Sequence, residues 1–220
     1  MFYDTAFPGC CHVLGDPILL FASLWMIVPW CVLAYLLGSL ATAIFVSRAL
    51  GLPDPRAAGS RNPGATNVLR LGGKKAAVLT LLGDLVKGLL PVVAARWAGL
   101  SDWSVALVAL STFLGHLYPI YFRFRGGKGV ATTLGILLAV APPLGLATLA
   151  TWLLVFVAGR VSSLSALIAT IAAPVYAWFL LPQTSLRVLV IVLALWVLWR
   201  HRSNVQRLLS GQEAAFRRLP

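Results

Sequence analysis

The sequence predicts an all-α polytopic membrane protein, and three observations carry that prediction. Of its 220 residues 60% are hydrophobic and 11% charged, and the mean hydropathy is +0.88; a soluble globular domain is excluded by that composition. Uncharged stretches cover 18–47, 105–122, 130–159 and 161–186, each reaching the roughly 18 to 20 apolar residues that a spanning helix needs. The alternating ten-residue pattern of barrel strands is absent.

The elements follow from charge and helix-breaking residues taken in order. The first seventeen residues carry Asp4 and Asp16 but no Lys or Arg, so the basic start of a cleavable signal peptide is missing. They read as an extension, 1–17, ahead of a single integral-membrane domain, 18–220. Cys10, Cys11 and Cys31 form neither a disulfide framework nor a metal-spaced set. The first helix is drawn over 25–47. Arg48, Arg56, Arg61, Arg70, Lys74 and Lys75 fill the loop after it, which the positive-inside rule makes cytoplasmic, leaving the N-terminus external. A second helix over 76–95 returns outward, and a third, after Ser101-Asp102-Trp103, ends near Phe122 with Arg123, Arg125 and Lys128 on the inside.

Parity decides the next stretch. One span over 130–159 would leave the basic tail after Trp199 outside, whereas the pair Pro142-Pro143 followed by Gly145 breaks a helix. Two short segments that enter and leave from the cytoplasmic side, as a re-entrant hairpin or as two short spans, satisfy the charge rule. Helices over 163–181 and 186–199 then flank an external turn at Pro182-Gln183-Thr184. The expectation is seven hydrophobic helical segments, two of them short and broken at Pro142-Pro143, with a cytoplasmic C-terminus. Fifteen of the eighteen Lys and Arg fall on the inner side against two acids, Asp54 and Glu213. The formal net charge of +12 is thus topological and not the footprint of a nucleic-acid face.

Three polar clusters interrupt the apolar chain, and the topology puts all of them on one side. The first sets Ser60, Asn62, Thr66 and Asn67 between Arg61 and Arg70, either a structural turn or a ligand loop. The second, Gly126-Gly127-Lys128-Gly129, precedes a helix whose N-terminus favours an anion, although a basic turn obeying the charge rule looks the same. It is not a Walker A loop. The third is Arg200-His201-Arg202-Ser203-Asn204. Asp84 and Lys87 share a helix face at i, i+3 inside hydrocarbon, as a neutralised structural pair or as a cavity wall. His116 stands one to two turns above the glycine loop. No nucleophile elbow, acyltransferase His/Asp box, metal cluster or carboxylate pair is present, so any chemistry leans on electrostatic positioning.

In this order the clusters resemble the bacterial acyl-phosphate:glycerol-3-phosphate acyltransferases, the PlsY family, over about 32–213. The residues carrying the likeness run from Gly59 to Arg70, from Gly115-His116-Leu117-Tyr118-Pro119 into Gly126-Gly127-Lys128-Gly129-Val130-Ala131-Thr132, and from His201 to Leu209 with Gly211 and Glu213. Arg61 departs from the small residue that many members have. The resemblance implies transfer of a fatty acyl group from acyl phosphate to the 1-hydroxyl of glycerol 3-phosphate, giving lysophosphatidic acid and phosphate at the cytoplasmic face of a bacterial inner membrane. It implies catalytic roles for Ser60, Arg70, Lys128, His201 and Asn204. Substrate-binding roles go to Asn62, Gly64, Ala65, Thr66, Asn67, His116, Gly126, Gly127, Gly129, Thr132 and Glu213; Asp84 and Lys87, outside the matched motifs, join them on their own placement, with Asp84 orienting Lys87 or a loop. The partners expected are the two substrates and the lipid bilayer, without nucleic acid, metal or cofactor. Either His201 or a substrate phosphate oxygen would accept the hydroxyl proton. A membrane transporter for phosphorylated small solutes is the alternative; it calls for midplane ligands and repeated halves, and the sequence shows no such repeat.

Overall fold

The computed structural model describes residues 17–213 and 215. The expected extension, 1–17, and with it Cys10 and Cys11, lies outside them except for Pro17, which opens the first helix. The helices are α1 (Pro17–Gly38), α2 (Thr42–Ala49), α3 (Ala65–Trp97), α4 (Asp102–Leu117), α5 (Val130–Val140), α6 (Pro142–Gly159), α7 (Ser162–Leu180), α8 (Thr184–Arg200) and α9 (Arg202–Leu209), with a 3₁₀ turn at Ile120–Phe122. Among the described residues there is no strand.

Five helical runs are long and apolar enough to cross a membrane: Trp25–Ala49, Ala65–Trp97, Asp102–Phe122, Pro142–Gly159 and Ser162–Leu180. A sixth is added if α8 and α9, bent by 56° at His201, count as one broken span; Val130–Val140 is a shorter apolar helix. Much of the apolar surface faces outward, with Leu154, Val157 and Phe179 each more than 70% exposed. That is the pattern of side chains meeting lipid instead of a core. Between helices, small residues bring backbones together. A Cβ on Gly88 would stand 2.3 Å from the Thr132 carbonyl oxygen, and one on Gly135 2.1 Å from that of Leu85.

Three expectations need correction. The first helix does not run unbroken over 25–47: it opens at Ser39–Ala41 between α1 and α2, where Lys87 Nζ donates 2.8 Å to the freed Leu40 carbonyl. The second helix starts eleven residues before 76, at Ala65. Its 33 residues would measure about 50 Å if straight, more than a bilayer core needs. Gly73 (φ 74, ψ −171) breaks it, separating a first segment that bears Arg70 from the apolar span. Third, α6 is not short. It has 18 residues, and Pro142 sits at its first turn, where proline is tolerated, so the proline pair starts a helix as well as ending one.

Contacts between helix ends order the bundle. Thr66 Oγ1 lies 3.1 Å from Ser162 Oγ, which joins the start of α3 to the α6–α7 turn. At the far end of α3, Arg96 donates to the carbonyls of Ala139 and Val140, joining it to the α5–α6 turn. The Pro142 turn therefore lies at the opposite end of α3 from Thr66. One end of the bundle gathers the starts of α3, α5 and α7 and the α8–α9 junction.

Candidate active site

At that end the second and third clusters meet. Gly129 takes a left-handed conformation (φ 89) that L side chains rarely adopt and becomes the N-cap of α5 without any side-chain cap, so the first α5 amides keep their donors for a ligand. Gly64 caps α3 in the same bare way. The two starts touch: a Cβ on Gly127 would be 3.3 Å from the Pro63 carbonyl oxygen and 2.4 Å from His116 Nε2. Lys128, one residue before the α5 cap, donates from Nζ to Asn204 Oδ1. Asn204 Nδ2 in turn donates 2.6 Å to Glu213 Oε1. Glu213 also accepts from Ser163 Oγ at 2.6 Å and, through Oε2, from Arg207 Nε at 2.6 Å. Gly211, at φ 69 after α9, turns the chain back so that Glu213 can reach these partners.

The electrostatics are cationic. Burial first, then the neighbouring Arg207, Arg200 and Arg70 acting against Glu213, bring the Lys128 pKa down to about 8. Four cations thus share one carboxylate, and an added dianion would relieve their repulsion. Burial alone would raise the Glu213 pKa, yet the donors Ser163, Asn204 and Arg207 hold it below the ordinary glutamate value. His201 is 3% exposed, and its Nδ1 lies 2.8 Å from the Val197 carbonyl oxygen. A carbonyl only accepts, so Nδ1 carries the proton and Nε2 presents a lone pair. Burial and then Lys128 push the His201 pKa down to about 4, so the ring is neutral near pH 7.

The other sequence candidates divide by role. Asn67 works inside the first loop: its Oδ1 accepts from the Ser60 amide at 2.8 Å, and its Nδ2 donates to the Pro55 and Ala58 carbonyls at 2.9 and 3.0 Å. Asn62 folds against Gly64, and Ser60 is exposed, with its backbone on Asn67. Ala65 and Thr66 form the first turn of α3, and Arg70 lies one turn on, near enough to bear on Lys128. Asp84, Lys87 and His116 sit behind the glycine loop. Lys87 Nζ is 2.8 Å from Asp84 Oδ1, and His116 Nδ1 is 3.6 Å from the same oxygen. These three back the loop and the α1–α2 opening. Thr132 is fully buried beside Gly88.

Three residues given no individual site role from the sequence complete the centre. Arg200 donates from Nε and Nη2 to the Gly127 carbonyl at 3.2 and 3.0 Å, and from Nη2 to Gly126 at 3.1 Å, locking the loop to the end of α8. Ser163 and Arg207 fix Glu213. Arg200 belongs to the third polar cluster and, like Arg207, reads in sequence as topological charge; nothing about Ser163 marks it there. Above this centre, Tyr118, Val192, Leu195, Trp196 and Trp199 line an open apolar groove of about 450 Å³. The Arg200 guanidinium lies 5.9 Å over the Tyr118 ring at its rim.

Fold and site together define a polytopic helical membrane protein with a cation-lined candidate phosphate centre at one end of its bundle. The profile described as glycerol-3-phosphate acyltransferase matches residues 28–211. The glycerol-3-phosphate acyltransferase of Methylococcus capsulatus is 53% identical over 86% of this chain and 94% of its own, and that of Methylobacillus flagellatus 57% over 83% and 93%. The crystal structure of PlsY (YgiH), an integral membrane glycerol 3-phosphate acyltransferase in its glycerol 3-phosphate form, is similar with a TM-score of 0.83 at 38% identity, covering 89% of this chain and 96% of that one. Its lysophosphatidic acid form gives 0.81 at 36%, with the same coverage. The chain belongs to the glycerol-3-phosphate acyltransferase family: it is an integral-membrane acyltransferase of phospholipid synthesis.

Proposed function

We propose that the chain transfers a fatty acyl group from acyl phosphate to the 1-hydroxyl of sn-glycerol 3-phosphate at the cytoplasmic face of a bacterial inner membrane, releasing lysophosphatidic acid and phosphate. The observation that carries this reading is Lys128 held by Asn204 in the field of Arg70, Arg200 and Arg207, beside two uncapped helix starts. Such a centre suits phosphate, and the adjoining apolar groove suits an acyl chain. The glycerol 3-phosphate and lysophosphatidic acid forms of PlsY support the acceptor and the product. The integral-membrane domain, 18–220, has its N-terminus outside and C-terminus inside, with seven hydrophobic segments once α5 and α8 are counted.

In this mechanism the chain of the donor lies along Trp196 and Trp199, with its phosphate at Lys128 and the first amides of α5. His201, Asn204 and Ser60 orient glycerol 3-phosphate, and Arg70 adds charge. The acceptor oxygen attacks the acyl carbon, the oxyanion is stabilised by Lys128 and backbone donors, and the bond to the phosphate oxygen breaks with its electron pair leaving on phosphate. A phosphate oxygen, with a second pKa of about 6, is a better proton acceptor near neutral pH than His201 at about 4. The hydroxyl proton therefore leaves on phosphate, and His201 positions the acceptor.

Purified protein given palmitoyl phosphate and glycerol 3-phosphate is expected to release phosphate and form lysophosphatidic acid, with palmitoyl-CoA inert. Absence of product, or equal use of palmitoyl-CoA, overturns the assignment. Lys128→Ala and Asn204→Ala are expected to lose turnover while remaining folded.

A further inference from the structure

A second cationic cavity of about 490 Å³ lies apart from Lys128, between the end of α2, the loop at Asp54–Ala57 and the 3₁₀ turn, with Arg48, Arg56, Arg123 and Arg125 in its walls. Its single acid is already engaged. Asp54 accepts from Arg56 Nη2 at 2.7 Å and from Nε at 3.1 and 3.2 Å, and these bonds to Arg56 are the main reason its pKa is lowered. Among the described residues, no carboxylate lies within ion-pair distance of Arg48, Arg123 or Arg125. The wall is also strained. Arg123 and Phe124, consecutive residues other than glycine, hold φ of 54 and 58, a conformation that costs energy and persists where surrounding structure enforces it.

Positive-inside topology explains arginines near a membrane but not three unpaired ones facing one cavity. Its floor is Phe122, packed edge-on against Phe45 at 5.6 Å and covered by the Arg56 guanidinium at 5.7 Å. Ile120, Tyr121 and Phe124 beside it stay about half exposed, the arrangement of an interfacial belt. Cations inside and apolar side chains at the rim match a ligand with a phosphate head and an acyl body.

We infer that this cavity is a phosphate site, separate from the reaction centre, that holds the headgroup of an anionic phospholipid. Its occupant borders catalysis, because Arg125 is followed directly by the Gly126–Gly129 loop.

The test measures lipid retained by the detergent-purified full chain in native mass spectrometry after reconstitution with phosphatidic acid and phosphatidylcholine. The wild type is expected to retain phosphatidic acid over phosphatidylcholine by about tenfold or more. Arg48→Gln with Arg125→Gln, both exposed positions outside the left-handed pair, is expected to lose that preference with an unchanged melting temperature. Lysine at the same positions is expected to restore it. Equal retention of the two lipids by the wild type, or undiminished preference in the glutamine variant, overturns the site. Loss of preference in the lysine variant overturns charge recognition. Displacement of the lipid by millimolar inorganic phosphate or glycerol 3-phosphate assigns the cavity to a free phosphate and overturns the headgroup; persistence of the lipid supports it.

Discussion

Lys128 shows how a single residue is tuned by its surroundings. Folding lowers its pKa to about 8, so the charged form is held at a cost that is full below pH 8 and fades as the pH rises towards the ordinary lysine value of about 10.4. The same charge is what a phosphate needs. In the free enzyme, kcat/KM is expected to be level between about pH 7 and 8, to fall below about pH 6 as the accepting phosphate is protonated, and to fall above pH 8 as the ammonium is lost; a bound dianion shifts the upper limb in kcat to higher pH. Lys128→Arg, if active, is expected to abolish the limb, because a guanidinium stays charged past about pH 12. Lys128→Met is expected to be inactive yet to melt higher than the wild type. A level wild-type profile to pH 10 would count against Lys128 as the essential cation. Gly127 tests its support. A Cβ there meets His116 Nε2 at 2.4 Å, and His116 is buried beside Asp84. Gly127→Ala is expected to cost about 1 to 3 kcal/mol of stability through overpacking and to lower kcat by displacing Lys128. Adding His116→Ala relieves the overlap, so the pair is expected to be non-additive in a double-mutant cycle.

At the scale of elements, Gly73 divides α3 into two helices with different environments. Its backbone lies in a region essentially reserved for glycine, with nothing within 4 Å of the position a Cβ would take. A substitution there therefore acts through the backbone alone. Gly73→Ala is expected to lower stability by about 1 to 3 kcal/mol, read from denaturant or thermal unfolding in detergent. An unchanged midpoint would show that the break is not enforced. This element was also hard to read in sequence. The run containing Arg70, Lys74 and Lys75 lacks the apolar length of a span and looks like a loop, although its first residues form a helix. The opening at Ser39–Ala41 was invisible for another reason: nothing local marks it, and the bond to Leu40 comes from Lys87, 47 residues away. Pro142-Pro143 was legible because proline acts on its own chain. In the same way, Lys128 and Asn204 fall in polar clusters that interrupt a membrane chain, whereas Glu213 is marked only by the family resemblance. Arg207 and Ser163 are ordinary at helix ends, and only the folded geometry gives them a role; for Arg200, part of the third cluster, it supplies the partner, the glycine-loop carbonyls.

For the whole molecule, the distribution of cations and the contacts of helix ends make the proposed topology testable. Fifteen of the eighteen Lys and Arg were assigned by sequence to a single side. The other three are each tied to backbone carbonyls: Lys87 to Leu40, Arg96 to Ala139 and Val140, and Arg187 to Leu181 at 2.6 Å. Arg96 and Arg187 keep their charge in these bonds, but two or three cations against fifteen do not reverse the bias that sets orientation. The decisive feature is the Pro142 turn, at the Arg96 end of α3 and thus opposite the Thr66–Ser162 contact. A hairpin that only dips into the bilayer would leave that turn inside hydrocarbon, whereas two crossing segments deliver it to the far surface. In a chain whose cysteines are replaced by serine, single cysteines at Pro143 and Gln183 are expected to react with an impermeant maleimide added outside intact cells. Cysteines at Arg61 and Gln206 are expected to react only after permeabilisation. Protection of the Pro143 site in intact cells while Gln183 reacts would return α5 and α6 to a re-entrant hairpin. Reaction of Arg61 from outside would invert the molecule and move the phosphate centre away from the cytoplasmic pool of its acceptor.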